Sequence, residues 1–197
     1  METETIEFGN YYHIYNRGNN RNVVFFEDDN YSYFLKLFAK YISPVAELYA
    51  YCLLRNHFHF LVRIKESDEL NISDFEYSTI KEPKSINPSK QFSHFFNAYT
   101  QAVNKKYNRT GSLFEKPFER IKITDENYFK RLILYIHNNP LHHGICDDLQ
   151  SYKWSSYNAI LSTSKSKINR NEVLELFEDK DNFIFSHKNY DILNLPY

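Results

Sequence analysis

Two histidines one residue apart, His57 and His59, are the first candidates for chemistry. They sit in HFHFLVRI (57–64), which alternates as a strand does: His57, His59, Leu61 and Arg63 on one face, Phe58, Phe60, Val62 and Ile64 on the other. Side chains at i and i+2 of a strand point the same way, so the two imidazoles can share one divalent ion. The pair alone reads more readily as two surface histidines on a half-exposed strand, because a chain with eight histidines produces H-x-H by chance. Tyr135 and Asn139 are a second pair, at i and i+4 on one face of a helix. Phe129, Ile133 and Ile136 form a separate apolar stripe suited to the core. His137 lies about 200° around that helix from Tyr135 and is expected outside its site. A packed core tyrosine fits the same spacing.

Two polar stretches could hold a phosphate chain. Between residues 104 and 131, Lys105, Lys106, Arg109, Lys116, Arg120, Lys122, Lys130 and Arg131 outnumber Glu115, Glu119, Asp125 and Glu126. Tyr107 and Phe118 are interleaved with them, and stacking on aromatic rings is one way single strands are held. A plain solvated face reads the same way. Asn16-Arg17-Gly18-Asn19-Asn20-Arg21 combines residues that tolerate positive φ with two guanidinium groups. It suits a phosphate-binding turn or an ordinary polar one.

The elements that must position these residues follow from periodicity. Residues 11–17 (YYHIYNR) read as a strand stopped by Gly18. A helix is expected over Tyr31–Tyr41, capped by Asp28 or Asp29 and ended before Pro44. Residues 47–54 and 57–64 read as two strands joined by Arg55-Asn56, hence antiparallel neighbours. A long polar loop over 66–90 precedes a helix from about Lys90 to Tyr107. Residues 113–123 read as an edge strand interrupted by Pro117. Asp125 caps a helix expected to run through Asn139 and end at Pro140. The order strand, helix, strand, strand, helix, strand, helix predicts an α+β fold, a ferredoxin-like antiparallel sheet with helices packed on it.

Composition narrows the class. A 197-residue chain with 42% hydrophobic residues supports one domain with a core and a small appendage. A net charge of −1 gives no overall basic footprint, so any nucleic-acid contact must come from a local basic face. Cys52 and Cys146, far apart, suggest neither a disulfide framework nor a thiolate zinc site. The N-terminal residues lack an apolar signal region and no run is long enough to span a membrane, so a soluble cytoplasmic protein is expected.

Taken in order, YHIYNRGNNRNVVFF, YCLLRNHFHFLV, TGSLFEKPFERIKI, YFKRLILYIHNNPLHHGIC and YKWSSY (152–157) resemble successive segments of the REP-associated tyrosine transposases, a tyrosine HUH family. The resemblance spans roughly residues 11–158. It implies a catalytic domain over 1–160 with 161–197 as an appendage of open role. It implies an HUH nuclease fold, His57 and His59 as metal ligands, Asn139 completing the metal site and Tyr135 as nucleophile. The implied cofactor is Mg²⁺ or Mn²⁺, which an imidazole and amide-oxygen site with open positions suits. The implied substrate is single-stranded DNA beside a hairpin, cut through a 5′-phosphotyrosine intermediate and rejoined to another 3′-OH. Asn16, Arg17, Asn19, Arg21, Lys105, Lys106, Arg109, Lys116, Arg120 and Lys122 are the candidate DNA contacts. Monomer and homodimer both remain open. The alternatives are a domesticated hairpin-binding protein with little cleavage, and a phosphohydrolase that uses the two histidines and does not need Tyr135.

Overall fold

The computed structural model describes residues 5–75 and 86–191. Part of the 66–90 loop expected from the sequence, residues 76–85, lies outside the described residues. Four strands form one antiparallel sheet: β1 (Tyr11–Arg17), β2 (Ala46–Leu54), β3 (His57–Ile64) and β4 (Glu119–Ile123). Their order is β2-β3-β1-β4. Helix α1 (Asp28–Tyr41) connects β1 to β2, α2 (Pro88–Lys106) precedes β4, and α3 (Glu126–His142) follows it. This is the expected ferredoxin-like arrangement, with β2 and β4 as its edge strands.

The alternation along β3 decides the layering. Phe58, Phe60, Val62 and Ile64 are wholly buried against Phe34 and Phe38 of α1 and Phe92, Phe95, Phe96 and Tyr99 of α2. Burying each such ring stabilises the fold by about 1.5–3 kcal/mol. The opposite face carries Leu61 and the two histidines, and it is covered by α3. In β2 a bulge between Leu48 and Ala50 reverses the phase. Leu48 faces the α1/α2 side, whereas Ala50, Cys52 and Leu54 face α3. An extra residue in one strand shifts its side chains to the other face, which is why ELYAYCLL shows no clean alternation.

Three helix ends differ from expectation. The N-cap of α1 is Glu27, whose side chain accepts from the Asn30 backbone while Asn30 reaches back, so the carboxylates of Asp28 and Asp29 fall in the first turn instead. The cap of α2 is Asn87, with Pro88 in the first turn where its missing N–H has no helical role. Helix α3 begins at Asp125 as expected but does not stop at Pro140; it runs on to His142. A proline removes only its own N–H, and near a helix end little helix is left to disturb. The true stop is Gly144, at φ +60, where the Ile145 N–H turns back to the Pro140 carbonyl (2.9 Å).

After α3 the chain forms α4 (Tyr157–Leu161), α5 (Arg170–Leu176) and α6 (Lys180–Lys188). Val173, Phe177 and Phe183 join the cluster that holds Ile133 and Ile136 of α3. Described residues of α5 and α6, with Phe177 between them, thus share the core on the α3 side of the sheet. No described helix is long and apolar enough to cross a membrane.

Candidate active site

The chemistry-bearing residues meet where β1 and β3 run side by side beneath α3. His57 and His59 stand on the α3 face of β3, their ring centroids 5.3 Å apart with planes at 88°. Register places Tyr15 of β1 opposite His59 and Arg17 opposite His57. The phenol ring of Tyr135 descends from α3 onto His59, with centroids 5.4 Å apart. Asn139, one helical turn on, is buried and donates to the Tyr135 carbonyl (3.2 Å). A cavity of about 630 Å³ is lined by Tyr15, Asn16, Arg17, Arg21, Arg55, Asn56, His57, His59, Glu115, Glu119, Tyr135 and His143 among others.

Both imidazoles are held neutral. Burial, then the neighbouring His143, lowers His57 to about 4, with a hydrogen bond to Asn139 acting the other way. Burial, then His13 and His57, holds His59 well below the usual histidine range. The Nδ1 of each ring is already engaged. His57 Nδ1 donates to Asn56 Oδ1 (2.7 Å), and His59 Nδ1 lies 2.9 Å from His13 Nε2. His59 Nε2 is buried and has no hydrogen-bond partner among the described residues. A neutral imidazole with one nitrogen tied and the other unpartnered is what a metal ligand looks like before metal arrives. The donor set (two imidazoles and the Asn139 amide oxygen) therefore fits a divalent ion with open positions. No group of three or more His, Cys, Asp or Glu residues able to hold an ion occurs among the described residues.

Burial raises the Tyr135 hydroxyl above the usual tyrosine value, and a hydrogen bond with Asn139 opposes that rise. The phenol is protonated at neutral pH, so its ionisation calls for positive charge near the oxygen.

The predicted nucleic-acid contacts separate into two groups. Asn16, Arg17 and Arg21 line the cavity, and exposed Lys116 sits between cavity-lining Glu115 and Pro117. Arg17 pairs with Glu115 at 2.8 Å. The others lie elsewhere. Lys105 and Lys106 end α2, where Lys106 pairs with Glu27, and Arg109 donates to Asn104 (2.9 Å). Arg120 and Lys122 are opposite Ile14 and Tyr12, on the α1/α2 side of the sheet. There Arg120 donates to Ser89 (3.1 Å) and Lys122 pairs with Glu7 (2.7 Å).

The Asn16–Arg21 turn differs from a phosphate nest. Its positive φ values fall at Asn20 and Arg21, not at Gly18. Gly18 is required instead by close approach, since a Cβ there would meet the Asn22 carbonyl at 1.9 Å. The N–H groups of Gly18, Asn19, Arg21 and Asn22 all bond carbonyls of the protein, so this turn offers guanidinium groups more than backbone donors. Asn19 is exposed and does not line the cavity.

Sequence reasoning missed His13, Tyr15, Arg55 and His143. His13 and Tyr15 follow the Tyr11–Arg17 alternation, but only strand pairing brings that face beside His59. His143 continues the Tyr135, Asn139 series by four more residues and sits 5.1 Å from His57. Ending α3 at Pro140 concealed it. His137, expected outside the site, is buried and bonded to His187 and Ser156.

The sheet order, with the histidine pair on its α3 face and the helix above, defines a ferredoxin-like α+β fold. Among solved structures, a REP-associated tyrosine transposase bound to a REP hairpin is similar to this chain, with TM-score 0.61 and 16% identity over 83% of this chain and 85% of that one. At that identity the likeness is one of fold. A bacterial tRNA(His) guanylyltransferase-like protein in complex with GTP aligns with TM-score 0.41 and 10% identity over 74% of this chain and 73% of that one, too distant to carry an argument. No protein-family model matches the sequence, and no protein of curated function matches it.

Proposed function

We propose that the chain is a REP-associated tyrosine transposase-like enzyme that nicks and rejoins single-stranded DNA beside a hairpin. The observation that carries this reading is the placement of the Tyr135 ring 5.4 Å from that of His59, across one cavity from His57. His57, His59 and the Asn139 amide would hold a divalent ion, Mg²⁺ or Mn²⁺. Such an ion supplies Lewis-acid polarisation of a phosphate oxygen.

The chain's own residues account for the rest. The Tyr135 oxygen attacks phosphorus, its proton leaves to solvent, and a phosphotyrosine bond forms as the bond to the 3′-oxygen breaks. That oxygen takes up a proton and leaves as a 3′-OH, while the 5′ side stays on the protein. One phosphodiester replaces another, so a second 3′-OH can reverse the step without ATP. Asn139 orients the phenol and bonds His57, which couples nucleophile and ligand through one buried side chain. Arg17, Arg21 and Arg55 on the cavity wall offer charge to the strand's phosphates.

Trapping labelled hairpin oligonucleotides on the protein tests this. The wild-type chain is expected to form a covalent adduct with Mn²⁺ and none with chelator. Tyr135→Phe and His57→Ala/His59→Ala are expected to bind the hairpin and form none. Cleavage that survives Tyr135→Phe would instead mark a phosphohydrolase, and binding with no adduct in the wild type a domesticated binder.

A further inference from the structure

No step above uses His13 of β1. His13 is wholly buried, and its ring stacks on His59 with centroids 5.1 Å apart and planes at 23°. His13 Nε2 and His59 Nδ1 are 2.9 Å apart, so one hydrogen sits between two nitrogens. Both rings are buried, and burial favours the uncharged imidazole.

Two arrangements of that hydrogen exist. If His13 donates, the His59 hydrogen must be on Nε2. That would bury an N–H with no acceptor, because His59 Nε2 has no partner among the described residues. Buried orphan N–H groups are rarer than buried orphan lone pairs, for the donor loses its only interaction. If His59 donates from Nδ1 to His13, its Nε2 keeps a lone pair, which is the state a metal ligand needs.

We propose that His13 is a positioning residue: it accepts the Nδ1 hydrogen of His59, fixes that ring's tautomer and orientation, and so presents the His59 Nε2 lone pair to the ion. The proposal rests on the reading of His59 as a ligand. It assigns to a neutral imidazole the part that a carboxylate or backbone carbonyl often takes beside a ligating histidine.

Imidazole ¹⁵N shifts of the full-length, metal-free protein at pH 7.5, followed by Mn²⁺ titration monitored by EPR, test it. The His59 signals are expected to show a protonated Nδ1 and an unprotonated Nε2. His13→Phe removes the acceptor; the His59 hydrogen is then expected to move toward Nε2, with Mn²⁺ affinity falling about 10- to 100-fold. His13→Gln, which keeps an acceptor oxygen, is expected to retain the Nδ1–H form and bind Mn²⁺ near the wild-type level. A wild-type His59 protonated on Nε2 overturns the proposal, as does a folded His13→Phe variant with unchanged Mn²⁺ affinity. The wild-type spectrum decides even where a variant fails to fold. The predicted tautomer in a protein that takes up no Mn²⁺ supports the hydrogen-bond assignment and contradicts the metal site instead.

Discussion

The phenol of Tyr135 stands edge-on to the imidazole of His59, with planes at 78° and centroids 5.4 Å apart. Tyr135 comes from the last long helix and His59 from a strand more than seventy residues earlier. Only the packing of α3 on the sheet brings them together. The relationship makes one buried amide, Asn139, the link between the two halves of the site.

Replacing that amide is expected to weaken both halves. Asn139→Ala removes the hydrogen bond that opposes the rise of the Tyr135 hydroxyl and the contact that supports His57. Mn²⁺ affinity is expected to fall about 10- to 100-fold. Single-turnover adduct formation should slow while hairpin binding persists. A variant with wild-type metal affinity and rate would remove Asn139 from the site.

Charge on the cavity wall is expected to act differently from charge at the end of α2. Arg21 lines the cavity, whereas Lys105 sits at the far end of α2. Arg21→Ala should weaken hairpin binding across sequences and reduce the slope of log affinity against log salt by about 1. Lys105→Ala should change neither. Equal effects from the two substitutions would spread the DNA path onto the α1/α2 side.

Helix α6 braces helix α3 through His187. His187 donates from Nδ1 to the Phe183 carbonyl (2.7 Å), so its Nε2 accepts from His137 Nδ1 (2.8 Å). His137 Nε2 then accepts from Ser156, whose oxygen takes the Tyr51 N–H. His187→Phe leaves the His137 N–H buried without an acceptor, which costs about 1–3 kcal/mol. Thermal unfolding should shift down by roughly 2–4 °C per kcal/mol. An unchanged midpoint would show that the chain of bonds contributes nothing to stability.

Acid should destabilise the protein before its carboxylates titrate. Burial lowers His187 to about 4 in the folded state, against about 6.5 when unfolded. A depressed folded value means the unfolded chain binds the proton first. Stability is therefore full above pH 6.5 and is lost as pH falls toward 4, by roughly 3 kcal/mol for this one group. His13 and His57, lowered to about 3 and about 4, act in the same direction. Urea unfolding at steps from pH 7.5 to 4.5 should show a falling midpoint, with a shallower fall in His187→Phe. A flat profile would contradict neutral burial of these rings.

Much of the architecture is legible in the sequence because period-2 and period-3.6 patterns are local. HFHFLVRI reveals which face of β3 carries the histidines, and the helical series reveals that Tyr135 and Asn139 travel together. What stays hidden is set by long-range pairing. Nothing local in YYHIYNR places His13 beside His59; that requires β1 to lie next to β3. The bulge at Leu48/Ala50 is similarly invisible in a run that is apolar throughout after Glu47. Pro140 misleads because a breaker inside the last turn costs little, while Gly144 four residues later sets the end. The basic stretch 104–131 misleads for another reason: basic residues contiguous in sequence are divided between the end of α2, the α1/α2 face of β4 and helix α3.

Peptide mapping of a trapped protein–oligonucleotide adduct by tandem mass spectrometry tests the central claim most directly, since the chain holds 17 tyrosines and Tyr15 lines the same cavity. The account predicts a nucleotide mass on the α3 peptide, localised to Tyr135, formed with Mn²⁺ and absent with chelator. A nucleotide on Tyr15, or cleavage of the hairpin-flanking strand with no modified tyrosine, would contradict it.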